Sequence, residues 1–116
     1  MKVSHYDRTP EHDLGHPDSK YVTIRIVISP EDGASHSMMV HLTIQPGGHT
    51  PFHTHEWEEE VFVLSGNGDL ETKDGKRPIR PGDAVFIDGD MEHQYLNSGP
   101  TPLEIICVIP LRQEGS

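Results

Sequence analysis

The run Gly48-His49-Thr50-Pro51-Phe52-His53-Thr54-His55-Glu56-Trp57-Glu58-Glu59-Glu60-Val61-Phe62-Val63-Leu64 joins a histidine-rich approach to a short strand of β-branched and aromatic residues. In its second half Val61 and Val63 alternate with Phe62 and Leu64. Both faces are apolar, so a strand covered on both sides is expected. In the first half His53 and His55 are two apart, and on an extended strand such residues project from one face. Two imidazoles can therefore aim at one point, the geometry a metal ion wants. Glu59 shares the parity of Val61 and Val63, and a hairpin beside the His53/His55 strand can bring its carboxylate to that point. Glu56, Glu58 and Glu60 compete for the role, although a solvated acidic run is their ordinary reading.

Outward from this run the pattern stays β-like. Upstream, Met38, Val40, Leu42 and Ile44 alternate with Met39, His41, Thr43 and Gln45, a half-buried strand that Gln45-Pro46-Gly47-Gly48 should end. Before it lies the β-branched run from Tyr21 to Ile28, closed by Ser29-Pro30 and the turn Glu31-Asp32-Gly33. Downstream, Ser65-Gly66-Asn67-Gly68, Asp74-Gly75 and Arg80-Pro81-Gly82-Asp83 punctuate the strands expected at 69–73, 84–87, 93–96 and 103–109. Short strands separated by turns every ~8–12 residues suit a sandwich or barrel. No stretch holds a 3.6-residue apolar period, so the fold class is all-β. One domain fits 116 residues: a barrel over 21–112, a polar arm over 1–20 and a tail over 113–116. The arm carries Pro10, Gly15 and Pro17, and its His5, His12 and His16 are expected in solvent.

Charge narrows the partners. Nine Lys and Arg against 19 Asp and Glu give a formal charge of −10, which repels phosphate backbones and anionic headgroups, so neither nucleic acid nor a membrane surface is expected. A small-molecule substrate is. The 11 Gly and 10 Pro favour turns. The single cysteine, Cys107, excludes an intramolecular disulfide, no apolar run approaches the ~18 residues of a membrane span, and the cytoplasm is the default location. Nine histidines equal the Lys and Arg together.

At this point the residues resemble a family. Gly47-x5-His53-x-His55-x3-Glu59-x6-Gly66 resembles the first motif of the cupin superfamily, and Gly82 followed by His93-x3-Asn97 resembles its second. Asp88 and Asp90 stand where that family usually has Pro and Gly. The resemblance covers about residues 21 to 110 and implies a small antiparallel, jelly-roll-like barrel with a metal inside, held by His53, His55, Glu59 and His93. The stretch from His55 to Leu64 and the ending Ile106-Cys107-Val108-Ile109-Pro110 are similar to small manganese-binding single-domain cupins, some with a fourth histidine at the position of Glu59. Manganese or iron is favoured on that basis, with nickel, copper, cobalt or zinc also compatible. Three His and one carboxylate leave a net charge of +1 around a divalent ion, where four His leave +2, which favours redox over simple Lewis acidity. Cupins of this size are commonly homodimers with exchanged N-terminal strands; Tyr21 to Ile28 would serve, and a partner subunit would cover Phe62 and Leu64.

Other residues carry weaker expectations. Cys107 shares parity with Ile105 and Ile109, which would face the interior; in the manganese-binding relatives a cysteine here approaches the metal. Tyr95 shares the parity of His93 and is a candidate cavity residue. Glu59, Tyr95 and Cys107 are therefore the candidate catalytic residues. Trp57 reads as a lid or interface residue, His49 as a loop residue at the mouth, and His41, on the polar parity of its strand, as lying outside the site.

Three functions follow from this set. The first is a metal-dependent oxidoreductase of dioxygenase type acting on a small organic molecule. The second is a non-redox isomerase, cyclase or lyase of sugar-derived or carbonyl substrates, with Tyr95 or Glu59 moving a proton. The third is a small-molecule-binding barrel without turnover. The inward residues Val40, Leu42, Ile44, Val61, Val63 and Ile105 predict a small, mostly apolar cavity.

Overall fold

In the computed structural model, which describes residues 1–111, the strands follow the apolar alternation. In chain order they are β1 His12–Asp13, β2 Lys20–Ile28, β3 Ser37–His49, β4 Glu59–Ser65, β5 Gly68–Thr72, β6 Gly75–Ile79, β7 Ala84–Ile87, β8 Gln94–Leu96 and β9 Leu103–Pro110. Single 3-10 turns at Tyr6–Arg8 and Pro30–Asp32 are the helical elements among the described residues. No helix there is long and apolar enough to cross a membrane. Positions 112–116, expected as the barrel's last residue and the tail, lie outside the described residues.

The pairings are antiparallel, in the order β6-β5-β8-β3-β9-β4-β7, with β2 on β3 and β1 on β2. The sheet curls into a barrel-like wall, as expected for the all-β class. Its inner face gathers Val40, Leu42 and Ile44 of β3, Val61 and Val63 of β4, and Leu103, Ile105 and Cys107 of β9 into one core. Ile44, Val63, Leu103 and Ile105 are wholly enclosed, and burying each contributes roughly 1.5–3 kcal/mol relative to leaving it in water.

β4 shows both the success and the limit of parity. Glu59, Val61 and Val63 point inward and are buried, while Phe62 and Leu64 keep 47% and 46% of their surface. With Phe86 of β7 at 54%, they form an apolar outer face that the single chain leaves open. The cover expected on both sides exists on one.

Two expectations need correction. β3 does not end at Gln45: Gly47 adopts φ 83, a left-handed conformation that glycine reaches without a Cβ clash. The strand bends there and continues, because Gly47 donates to the Asn97 carbonyl at 2.9 Å and Asn97 donates to that of Gly48 at 3.0 Å. Nor does the polar arm over 1–20 stand apart from the barrel. His12 and Asp13 pair with Ile24 and Thr23, and Leu14 donates to Val22 at 2.9 Å, so the polar start folds back along β2.

Two motif positions prove architectural. Gly66 turns β4 toward β5 at φ 80, and a Cβ there would lie 2.1 Å from the Pro102 carbonyl oxygen. Asn97 is buried, and its amide donates to the carbonyls of Ile44 and Thr101 at 2.8 Å each while its oxygen accepts from Gly99 at 2.9 Å. It ties β3 to the 99–101 loop at one end of the barrel and is not a metal ligand.

Candidate metal centre

His53, His55 and His93 meet, although not by the route expected. Residues 51–58 are irregular, with His53 held only by an isolated bridge to His93, whose two hydrogen bonds are 3.2 and 3.1 Å. The i, i+2 relation on a regular strand therefore does not explain the convergence. Neither does a hairpin supply Glu59: β4 pairs with β7 and β9, so the carboxylate comes from a different part of the wall.

The ligand-type nitrogens of the three histidines lie within 4.8 Å of one another. Their other nitrogens share one arrangement. His53 Nδ1 is 2.8 Å from the Pro51 carbonyl, His55 Nδ1 2.7 Å from that of Trp57, and His93 Nδ1 2.8 Å from that of Met91. A carbonyl oxygen only accepts, so each Nδ1 carries the proton and each Nε2 of a neutral ring keeps its lone pair. The Trp57 indole also stacks on His55, with centroids 4.6 Å apart and planes 7° off parallel. Three lone pairs fixed by carbonyls around one point are the orientation that metal-bound imidazoles take. The residues fit a divalent transition ion.

Glu59 joins them. Its Oε2 lies 3.2 Å from His55 Nε2 and 3.8 Å from His93 Nε2. Burial alone would raise the Glu59 carboxyl, but His93 and His55 outweigh it and hold the group below its ordinary value. Burial likewise opposes charge on His93, yet the Glu59 carboxylate and the Met91 carbonyl raise it net.

The cavity beside the cluster has a volume of about 290 Å³. Val40, Leu42, Ile24, Ile109 and Leu14 give it aliphatic walls; His53, Glu59, His93, Tyr95 and Cys107 give it chemistry. Tyr95 and Cys107 thus stand where parity placed them, both nearly fully enclosed. The Tyr95 hydroxyl is buried beside the Glu59 carboxylate and makes no hydrogen bond of good geometry among the described residues. Burial, with the charge of Glu59, pushes both the phenol and the Cys107 thiol well above their ordinary values, so each stays protonated at neutral pH. No Lys or Arg is among the described lining residues.

Several positions were missed or misplaced. Thr50, buried, lines the cavity and accepts the Tyr95 N–H at 2.9 Å on Oγ1. Leu14 and His16 line it from the N-terminal segment; nothing in their polar surroundings signals this. His49 ends β3 and does not lie in a loop, with Nδ1 3.2 Å from Gln94 Nε2. His41 is outside the site, as expected, but it is buried, 2% exposed, and bonded to Glu104 at 3.0 Å.

These features define a small antiparallel β-barrel with a candidate metal centre in its interior. The chain matches the Cupin domain family over residues 40–109, and it belongs to that family. Its structure is similar to that of the polyketide cyclase RemF from Streptomyces resistomycificus, with a TM-score of 0.92 and 30% identity over 97% of this chain and 80% of that one. In sequence it is 37% identical to an L-ectoine synthase of Bordetella petrii over 72% of this chain and 63% of that protein. It is 33% identical to an oxalate-binding protein of Thermotoga maritima over 64% of this chain and 62% of that protein. The matches thus span a little under two thirds of these curated relatives' length.

Proposed function

We propose that this cupin is a metal-dependent, non-redox enzyme that closes a ring in, or eliminates from, a small neutral carbonyl compound. The carrying observation is the buried Tyr95 hydroxyl in the same aliphatic cavity as Glu59, His53 and His93, beside the Glu59 carboxylate. A divalent ion held by His53, His55, His93 and Glu59 supplies Lewis acidity toward a carbonyl oxygen. Manganese or iron is favoured, and nickel, copper, cobalt and zinc also suit the donor set. Tyr95, kept protonated by burial, donates a hydrogen bond to a substrate oxygen. Glu59, through a carboxylate oxygen not engaged by the ion, accepts a proton from the carbon next to the carbonyl. That carbon then bonds to a second carbonyl carbon whose oxygen takes a proton in ring closure, or expels a β-hydroxyl as water in elimination, so no electrons leave the substrate. Cys107 packs against the substrate as a small neutral side chain. The absence of Lys and Arg among the described lining residues disfavours a small dianion. The likeness to a polyketide cyclase supports a neutral polyketone-like substrate.

Oxidation of dioxygenase type is the second reading, favoured by the carboxylate beside three imidazoles, which lowers the charge around the ion. A free thiol in a reducing cytoplasm suits either reading, and a homodimer formed over Phe62, Leu64 and Phe86 would cover the open face of β4.

Exchange of α-protons for deuterium, followed by NMR with a panel of neutral ketones under argon, tests the proposal. Exchange above the protein-free rate that persists with zinc, falls in Tyr95→Phe and vanishes in Glu59→Gln supports it. Turnover only in air, with oxygen consumed, overturns it in favour of the dioxygenase.

A further inference from the structure

Leu14 is an isolated apolar residue in the polar run Glu11-His12-Asp13-Leu14-Gly15-His16, yet it packs on the core and stands in the cavity wall with Ile24, Val40 and Ile109. Its position is built by backbone contacts. Beyond the β1–β2 pairing, Gly15 at φ 74 turns the chain and donates to Asp13 Oδ1 at 2.7 Å. Asp18 Oδ2 then accepts from the Phe52 N–H at 3.3 Å, beside His53. The turn that carries Leu14 and His16 is thereby joined to the loop that carries the metal-type ligands.

The same segment is clamped a second time on the outer face of the sheet. The Tyr6 ring lies 4.8 Å from that of His41, and the Arg25 guanidinium sits 5.6 Å from the Tyr6 centroid. Arg25 also donates to the carbonyls of Asp7 and Thr9, and Thr23 donates to Glu11 at 2.7 Å. Beneath Tyr6, His41 is fixed by Glu104, whose other oxygen accepts from Ser65 at 2.7 Å. The clamp acts on residues 6–11, and the wall it positions begins at Leu14.

We propose that Leu14 is a specificity-determining wall of the cavity, and that the clamp of Tyr6 and Arg25 on the outer face sets how far this wall opens. The size of ligand admitted is then controlled from the N-terminal segment, not only from the strands. The inference holds whichever reaction the cavity runs, because its test reads access and not turnover.

Cys107 is the only cysteine, lines the same cavity and is 4% exposed, so its rate of covalent modification reports access. Labelling rates are compared for methyl methanethiosulfonate, which is small, and fluorescein maleimide, which is bulky. Leu14→Ala and Tyr6→Ala are expected to raise the bulky-to-small rate ratio about tenfold, the scale of a local opening that leaves the melting transition in place. Tyr6→Phe, which keeps the ring, stays at the wild-type ratio. Leu14→Trp slows both reagents below wild type, a direction that partial unfolding cannot produce. A wild-type ratio in Leu14→Ala together with wild-type rates in Leu14→Trp overturns the wall; an unchanged ratio in Tyr6→Ala with altered Leu14 variants overturns the clamp.

Discussion

Two histidine–glutamate pairs, each with a buried histidine, sit on opposite faces of the same sheet. Inside, His93 and His55 approach Glu59; outside, His41 approaches Glu104 at 3.0 Å. The residue types and distances are alike, so pairing alone does not make a metal centre. What differs is convergence. The inner pair belongs to three imidazoles whose Nε2 atoms share one point and whose Nδ1 atoms are held by carbonyls. The outer pair has one imidazole and one carboxylate under the Tyr6 ring, and no second imidazole among the described residues shares its point.

Removing a residue from each pair should separate the roles. His93→Ala is expected to weaken metal binding at least about 100-fold, whereas His41→Ala leaves metal content unchanged; elemental analysis and titration calorimetry read both. On stability the ranking reverses. Glu104→Ala leaves His41 buried and Ser65 without its acceptor, which should cost about 1–3 kcal/mol in chemical denaturation with metal affinity intact.

The inner pair also carries a pH signature. Glu59 is held below its ordinary 4.5, so its stabilisation is present above that value and lost as pH falls through the lower folded one. His93 is raised above 6.5, so its stabilisation is present below that value and lost as pH rises through the higher folded one. The metal-free protein should therefore gain most from this pair between about pH 4.5 and 6.5, read by thermal melts across pH. Metal must displace the His93 proton, so affinity should rise with pH through that group's raised value and then level. Glu59→Gln should flatten both dependences. The smallest effect belongs to Asp90, at φ 67 where the motif usually places glycine. Asp90→Gly relieves left-handed strain but loosens the unfolded chain, so stability should change by less than about 1 kcal/mol.

Motif spacing exposed the inner cluster to sequence reading, and strand parity exposed its surroundings: Val40, Leu42, Ile44, Val61, Val63, Ile105, Tyr95 and Cys107 all lie inside. What stayed hidden was settled by contacts distant in sequence. His41 sits at an outward position, and its burial depends on Tyr6 arriving from the start of the chain. β1 is two polar residues long, too short for any alternation to show. The convergence of His53 and His55 came from loop backbone, not strand geometry, although the outcome was the same. Pro46-Gly47-Gly48 looked like a stop because its residues favour turns, yet one left-handed glycine let the strand bend and go on.

The carbonyls behind the three imidazoles have an evolutionary consequence. Each belongs to a residue two positions from its histidine, at Pro51, Trp57 and Met91, and a carbonyl survives any replacement of the side chain that bears it. Ligand orientation is thus inherited with the backbone, while the cavity walls are side chains free to drift. Such a scaffold can exchange one substrate for another by ordinary point mutation without first rebuilding its centre.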